Sequence, residues 1–506
     1  MSTPSTAPQA SVKVRWFDSA LVRVLAMAVV FTAGAVYEAQ RLLALTDNDI
    51  WWHLATGSWI LKNHAIPHSG IFSQSATLPW VDASWGFDLL TATAYHVWGL
   101  AGLPGLLIVL QIAVAVALFM LARATGSKFW PAVIVTVVAQ CSFAPVALRP
   151  ALCSMVLFAI ELALLLRVRR SGNARILLWL PLMFLLWVNL DRQFSYGLLA
   201  LVLFCLAVVM EELLRRASIQ WLETVAPSLS LGTVGVAAAA SLLATFVSPY
   251  GYHLHALVWQ SAVSSAADHY FPELHAMRFR QPQDYVLMLL VMTAFFALGR
   301  RRSRDLFQLL LMIVCAVISF RFQRDAWLVA VASVGVLGRS LGGSEAVDAS
   351  HNVGHIQRLV TAALVVVIVV VTAMRIPGYG NVHSGEVLLA KISENFPLRA
   401  ADYIRQNRLP QPIFNSYNWG GFLTWGLPEY PVLIDGRADL YGEQNNIAYF
   451  QVTGAEIPLQ SYAGFTRAQT ILLEASSPLA QALATLPGFH VEYQDEQAVV
   501  IVRGGN

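Results

Sequence analysis

Thr46-Asp47-Asn48-Asp49-Ile50-Trp51-Trp52-His53-Leu54 stands where the first long apolar run of this 506-residue chain ends. Two carboxylates lie two residues apart, and His53 follows Asp49 by one helical turn. Ionisable groups beside a membrane span are costly to desolvate and are functional hypotheses by default. Paired tryptophans favour the membrane–water interface. The stretch therefore reads as the exit of a membrane helix, with a catalytic or metal-binding site facing a lipid-borne substrate.

The composition around it agrees. A hydrophobic fraction of 57%, 12% charged residues and a mean hydropathy of +0.58 exclude an ordinary soluble domain. About eleven apolar runs are present, most of them long enough for a hydrocarbon core of ~30 Å. They cover 20–43, 101–122, 130–147, 151–167, 176–190, 194–214, 229–248, 284–299, 305–320, 326–341 and 358–375. The first is too long for a signal-peptide core and lacks a small-residue cleavage site, so it reads as a retained signal anchor. Segment 84–98 is shorter and carries Asp88 and His96.

Arginine placement decides that segment. If 84–98 lies along the surface, one side collects Lys13/Arg15, Arg123/Lys128, Arg167/Arg169/Arg170/Arg175, Arg215/Arg216 and Arg300/Arg301/Arg302/Arg304. If it spans, the two arginine-richest loops land outside. It is read as an interfacial helix. Residues 1–19 are then cytoplasmic and 20–376 form a multispanning domain. The first loop, 44–100, and the tail, 377–506, share the extracytoplasmic side. The net charge of +3 comes from arginines scattered at helix ends and leaves no nucleic-acid footprint. Cys141, Cys153, Cys205 and Cys315 all lie in apolar runs and read as helix packing rather than disulfides.

The tail alternates helical and strand patterns. Helices are expected at 398–407 and 478–486, strands at 412–415, 432–435 and 469–473, and a hairpin at 490–493 with 498–502. That order predicts an α/β domain with a partly parallel sheet. The link 342–354 is polar and glycine-rich.

Group transfer from a lipid-phosphate carrier, one chemistry such a site could serve, needs a base for the acceptor and a partner for the departing phosphate. Asp47 or Asp49 can supply the base, or the pair can hold a divalent cation such as Mg or Mn. The plain alternative is that one of them caps the helix starting near Ile50. His53 shares a helix face with Asp49. Arg149, Arg192, Arg321 and Arg324 occupy short outer turns, where a guanidinium fork suits a donor phosphate or snorkels to lipid headgroups. Asp435, Arg437 and Asp439 follow a short apolar strand and read equally as acceptor-binding groups or as a salt-bridge network. Trp419-Gly420-Gly421 reads as a tight turn with aromatic packing, with Trp419 available to an acceptor. The tryptophans at 51, 52, 59, 80 and 85 read mainly as an aromatic belt. His253, His255, His269, Glu273 and His275 read as interfacial polar residues.

Two blocks carry a resemblance. The first is Asp47-x-Asp49-x-Trp51-Trp52-His53-Leu54-Ala55-Thr56-Gly57-x-Trp59-Ile60-Leu61, continuing through Ile66-Pro67, Phe72-Ser73, Pro79-Trp80-Val81 and Ser84-Trp85. The second is Phe414-Asn415-x-Tyr417-x-Trp419-Gly420-Gly421-Phe422-Leu423, then Pro431-Val432-Leu433-Ile434-Asp435-Gly436-Arg437-x-Asp439-x-Tyr441. Together they resemble bacterial GT-C superfamily membrane proteins, polyprenyl-phosphate-dependent glycosyltransferases related to the dolichyl-phosphate-mannose mannosyltransferase and oligosaccharyltransferase folds. The resemblance implies a carboxylate of the first outer loop acting on a lipid-phosphate-linked sugar, a role that falls to Asp47 or Asp49. It also implies inversion at the anomeric centre. One departure is Asn189-Leu190-Asp191-Arg192-Gln193, where relatives carry Asn-x-His-Gly.

The expectation is a polytopic α-helical, GT-C-like membrane protein with a C-terminal extracytoplasmic α/β domain. Its expected work is moving a sugar from a polyprenyl-phosphate carrier to a glycan, lipid or protein acceptor at a bacterial cytoplasmic membrane. The alternatives are a transporter of lipid-linked saccharide and a non-catalytic assembly protein that kept the shape.

Overall fold

The computed structural model describes residues 20–41, 43–143, 145–217, 229–263, 270–300, 305–341 and 385–504. The expected span at 358–375, the link at 342–354, the arginines at 301, 302 and 304, Lys13, Arg15 and His269 lie outside the described residues.

Each of the other ten expected spans contains helix. In chain order the helices are α1 (Ala20–Gln40), α2 (Ile50–Asn63), α3 (Trp85–Trp98), α4 (Gly102–Ala124), α5 (Phe129–Cys141), α6 (Ala151–Ser171) and α7 (Trp179–Trp187). They continue as α8 (Phe194–Arg216), α9 (Leu231–Ala244), α10 (Tyr252–Val263), α11 (Pro282–Arg300), α12 (Leu306–Arg321) and α13 (Trp327–Ser340). Five stretches are long and apolar enough to cross a membrane: Ala20–Thr46, Trp85–Ala124, Ala151–Ser171, Phe194–Arg216 and Pro282–Arg300. Several others are apolar but shorter. Within Trp85–Ala124 a 3-10 turn, Gly99–Ala101, separates α3 from α4, so 84–98 is a helix of its own. Helix α13 is buried from Trp327 through Gly338, as expected of a helix that is apolar all round. It packs against α4, α6, α11 and α12.

The two ends of α6 mark the two ends of the bundle, about 30 Å apart at 1.5 Å per residue. At its C-terminal end the buried Arg169 binds Glu211 at 2.6 Å and Asp305 at 3.0 Å, and Arg339 reaches Asp305 at 3.4 Å. This network ties α6, α8, α12 and α13 together. At the N-terminal end of α6 lie residues 47–49 and the tail.

The tail comprises α14 (Gly385–Asn395), α15 (Leu398–Asn407), β1 (Ile413–Asn415), α16 (Tyr417–Gly426), α17 (Glu443–Thr453), β2 (Thr470–Glu474), α18 (Pro478–Leu483), β3 (Phe489–Gln494) and β4 (Ala498–Arg503). The sheet order is β1-β2-β4-β3, with β1 parallel to β2 and the other pairs antiparallel. Both faces are covered, which is why β2 and β4 are continuous apolar runs. Leu472 and Val500 join the core that continues into the bundle, while Ile471, Leu473, Val499 and Ile501 pack with Phe414, Ile434 and Tyr449 in a second core.

Three expectations need correction. Residues 432–435 are not a strand. Val432 bridges to the first loop instead, its amide donating to Phe72 O and its carbonyl accepting from Gln74 N, both at 2.9 Å. The Asn415 side chain takes the next two backbone groups, Leu433 N and Ile434 O, each at 2.8 Å. Trp419-Gly420-Gly421 is not a turn but lies inside α16. Its glycines answer a packing need: a Cβ on Gly421 would stand 2.3 Å from Asn48 O, and one on Gly420 would stand 2.0 Å from Ile434 O. Finally, Trp51 and Trp80 are buried rather than in a belt. Trp51 meets the rings of Phe396 and Phe422 edge-on at 5.7 and 5.6 Å and lies 4.7 Å from Trp425.

Candidate active site

The turn before α2 sorts the two carboxylates. Asp47 Oδ1 accepts the Asp49 amide at 2.9 Å, a local turn that aspartate forms readily. Asp49 occupies the N-cap position of α2 with helical backbone angles and no side-chain capping bond. Its Oδ1 accepts from Trp52 Nε1 at 3.4 Å and its Oδ2 faces Arg149, so the capping alternative does not hold for it. Only 7% of the Asp47 side chain is accessible, against 28% for Asp49.

Arg149, in the turn leading into α6, sits between the acids. Its Nε donates to Asp47 Oδ2 at 2.8 Å, its Nη2 lies 3.5 Å from Asp49 Oδ2, and its Nη1 donates to Glu273 Oε2 at 2.8 Å. Arg324 stands on the other side of Glu273, with Nη1 4.0 Å from Oε1. The turn holding Arg324 is fixed by buried Asp325, which accepts from Gln193 Nε2 at 2.8 Å and Tyr196 OH at 2.6 Å. Arg192 reaches across to Asp439 of the tail at 2.9 Å. Arg321 does not share this arrangement; it is exposed and lays its guanidinium over the Phe322 ring.

Burial pushes the Asp49 carboxyl up and Arg149 pulls it down, but the like charges of Asp47 and Glu273 add to the rise, and it settles at about 6. That is a value suited to a base working near neutrality. His53 is turned inward, its ring tilted against that of Trp52 and hydrogen bonded through Nδ1 to Asp88 Oδ1 at 2.6 Å. Burial drives its pKa down to about 4, against the pull of Asp49, Asp82 and Asp47, so the ring is neutral. At 4% exposure it cannot touch an acceptor.

The structure takes the ion-pair alternative for Asp435 and Arg437. Arg437 Nη2 donates to Asp435 Oδ2 at 2.6 Å, Nη1 donates to Ile71 O at 2.8 Å, and the guanidinium covers the Trp80 ring. Both residues are buried and not available to an acceptor. Trp419 is likewise buried, its Nε1 donating to Asn395 O at 3.2 Å. Only Asp439 of that expected set faces the rim. Asp47 and Asp49, the pair expected to be able to hold a cation, both face one guanidinium. Their shared position is filled by Arg149, and among the described residues no group of three or more His, Cys, Asp or Glu is placed to hold a metal.

Two site residues escaped the sequence reading. Glu273 reads in the sequence like the histidines of its loop, yet it lies between Arg149 and Arg324. Tyr417 opens α16 beside the cluster, where burial and the charges of Asp49, Asp435 and Glu273 raise its pKa. Of the histidines in this region, His255 bonds Thr245 and stacks on Phe246, while His275 meets Arg278.

No family model matches the chain, and no curated protein matches it. Among solved structures, the apo oligosaccharyltransferase of Archaeoglobus fulgidus matches 91% of this chain and 70% of its own, with 13% identity and a TM-score of 0.53. The chain has the GT-C fold. ArnT from Cupriavidus metallidurans, bound to undecaprenyl phosphate, is also similar, covering 95% of this chain and 97% of its own at 13% identity and a TM-score of 0.49. The acidic turn and its arginines lie at one end of this GT-C bundle, under the tail.

Proposed function

We propose that this chain is a membrane glycosyltransferase that moves a sugar from a polyprenyl-phosphate carrier to an envelope acceptor at the outer face of the cytoplasmic membrane. The observation that carries the reading is the pairing of Asp49, partly accessible and free of capping duty, with Arg149, whose other partner Glu273 faces Arg324, at the end of a GT-C bundle. Asp49 takes the proton of the acceptor hydroxyl. The acceptor oxygen attacks the anomeric carbon, the carbon–oxygen bond to phosphate breaks, and the departing polyprenyl phosphate carries the electron pair. Guanidiniums stabilise that charge as it grows. Asp47 holds Arg149 in place, and Arg192 with Asp439 lines the acceptor side.

The test is Asp49→Asn in the native host, with envelope glycans and lipids read by mass spectrometry against the wild type and a deletion strain. The deletion profile at normal protein level is expected. A wild-type profile from the variant would overturn the proposal in favour of a non-catalytic assembly role.

A further inference from the structure

Glu273 stands where an anion belongs. Its Oε2 accepts from Arg149 at 2.8 Å, while its Oε1 comes only within 4.0 Å of Arg324. Arg324 Nε is buried and has no hydrogen-bond partner, its nearest carboxylate oxygen being Asp325 Oδ1 at 3.7 Å. One carboxylate therefore satisfies one guanidinium and underfills the second. Burial would push the Glu273 carboxyl up, but Arg149, Arg324 and Arg192 outweigh it and hold it below the ordinary range. Three arginines thus act on one side chain that is still 43% accessible.

The backbone under Glu273 is fixed. Met277 N donates to Phe320 O at 3.1 Å and Gln323 N to His275 O at 3.0 Å, joining this loop to the turn that carries Arg324. On the other flank Phe271 packs on Tyr417 and Phe450 of the tail. The side chain can leave the site by rotating toward solvent while its backbone stays. A phosphate group has more oxygens and a wider span than a carboxylate, so it can serve Arg149 and Arg324 together.

We infer that Glu273 is a resident counter-anion, a specificity-determining residue that occupies the phosphate position between Arg149 and Arg324 and must be displaced by the carrier's phosphate. It keeps weak anions out and competes with the leaving polyprenyl phosphate after transfer, favouring its release. The inference rests on the glycosyltransferase reading of the same site.

Full-length protein in detergent, titrated with farnesyl phosphate, inorganic phosphate and farnesol, tests it. Glu273→Gln should bind farnesyl phosphate about tenfold more tightly than wild type, the scale of one charge-assisted hydrogen bond no longer competing. Glu273→Asp, which keeps the charge but shortens its reach, should fall between the two. Glu429→Gln, whose exposed carboxylate pairs with Arg405 in the tail, should match wild type. Tightening with farnesyl phosphate but not with farnesol assigns the effect to the phosphate, and the inorganic ion shows how much the lipid adds. If wild type binds farnesyl phosphate and Glu273→Gln binds it equally or more weakly, the counter-anion is overturned while the phosphate site stands. If no form binds any phosphate, the arginine site fails and both readings fall.

Discussion

Asp47 and Asp49 are chemically identical, and a backbone amide separates their roles. Asp47 is tied to that amide and to Arg149; Asp49 keeps 28% of its side chain accessible. A base must be deprotonated to work, so sugar transfer in native membranes should rise through pH about 6, the value to which Asp49 is pushed, and level off above it. Asp47→Asn should move that acid limb downward, because it removes a like charge that raises Asp49 and leaves Arg149 more available to lower it. A limb that stays in place after Asp47→Asn would assign the titration to another group. At this scale the sequence exposed the carboxylate pair and the arginines, since charged residues at span ends stand out against apolar neighbours. It did not expose Glu273, whose partner Arg149 is 124 residues away, or the inward turn of His53 onto Asp88. Neither pairing leaves a local pattern.

The helices were legible because hydrophobic runs and caps are local signals; α15 was expected at 398–407 and spans Leu398–Asn407. The glycine pair in α16 misled because glycine usually marks a turn, whereas here it lets one backbone approach another. Gly421→Ala should therefore lower stability by about 1–3 kcal/mol, the cost of overpacking a tight contact. A fall in the thermal unfolding midpoint in detergent would register it, and an unchanged midpoint would show that the contact gives way. Segment 432–435 misled for a related reason: its hydrogen bonds go to Asn415 and the first loop rather than to a strand ladder. The Asp435–Arg437 pair beside it is buried, so Arg437→Met alone should cost about 3–5 kcal/mol by stranding a carboxylate. Replacing both partners with apolar residues should recover most of that loss in the same melting experiment.

Across the whole molecule, one core runs from the bundle through Trp51 to Phe396 and Phe422 of the tail. Arg192 and Asp439 close the other side of the same end. This junction puts the acidic turn and the tail together, and the proposed function requires both on the extracytoplasmic side. Single cysteines at the exposed positions Lys62 and Glu443, in a protein lacking its four native cysteines, should both react with an impermeant maleimide added to intact cells. Labelling of one site from outside and the other only after lysis would contradict that sidedness. The sheet and its partly parallel order were readable from strand spacing. The fusion of tail and bundle was not, because aromatic residues near a membrane ordinarily suggest contact with lipid.

The missing side chain at position 421 also bears on how such proteins can be recombined. Asn48 and α16 fit each other as cast and mould, and Gly436 leaves similar clearance for Asp49, whose Oδ1 would lie 1.9 Å from an added Cβ. A chimera that exchanges the tail alone inherits a mismatched seam at the residues proposed for chemistry. Exchanging residues 44–100 together with 385–504 keeps that seam matched and leaves the Asp47–Arg149, Arg192–Asp439 and Phe271–Tyr417 contacts to be matched with the rest of the chain.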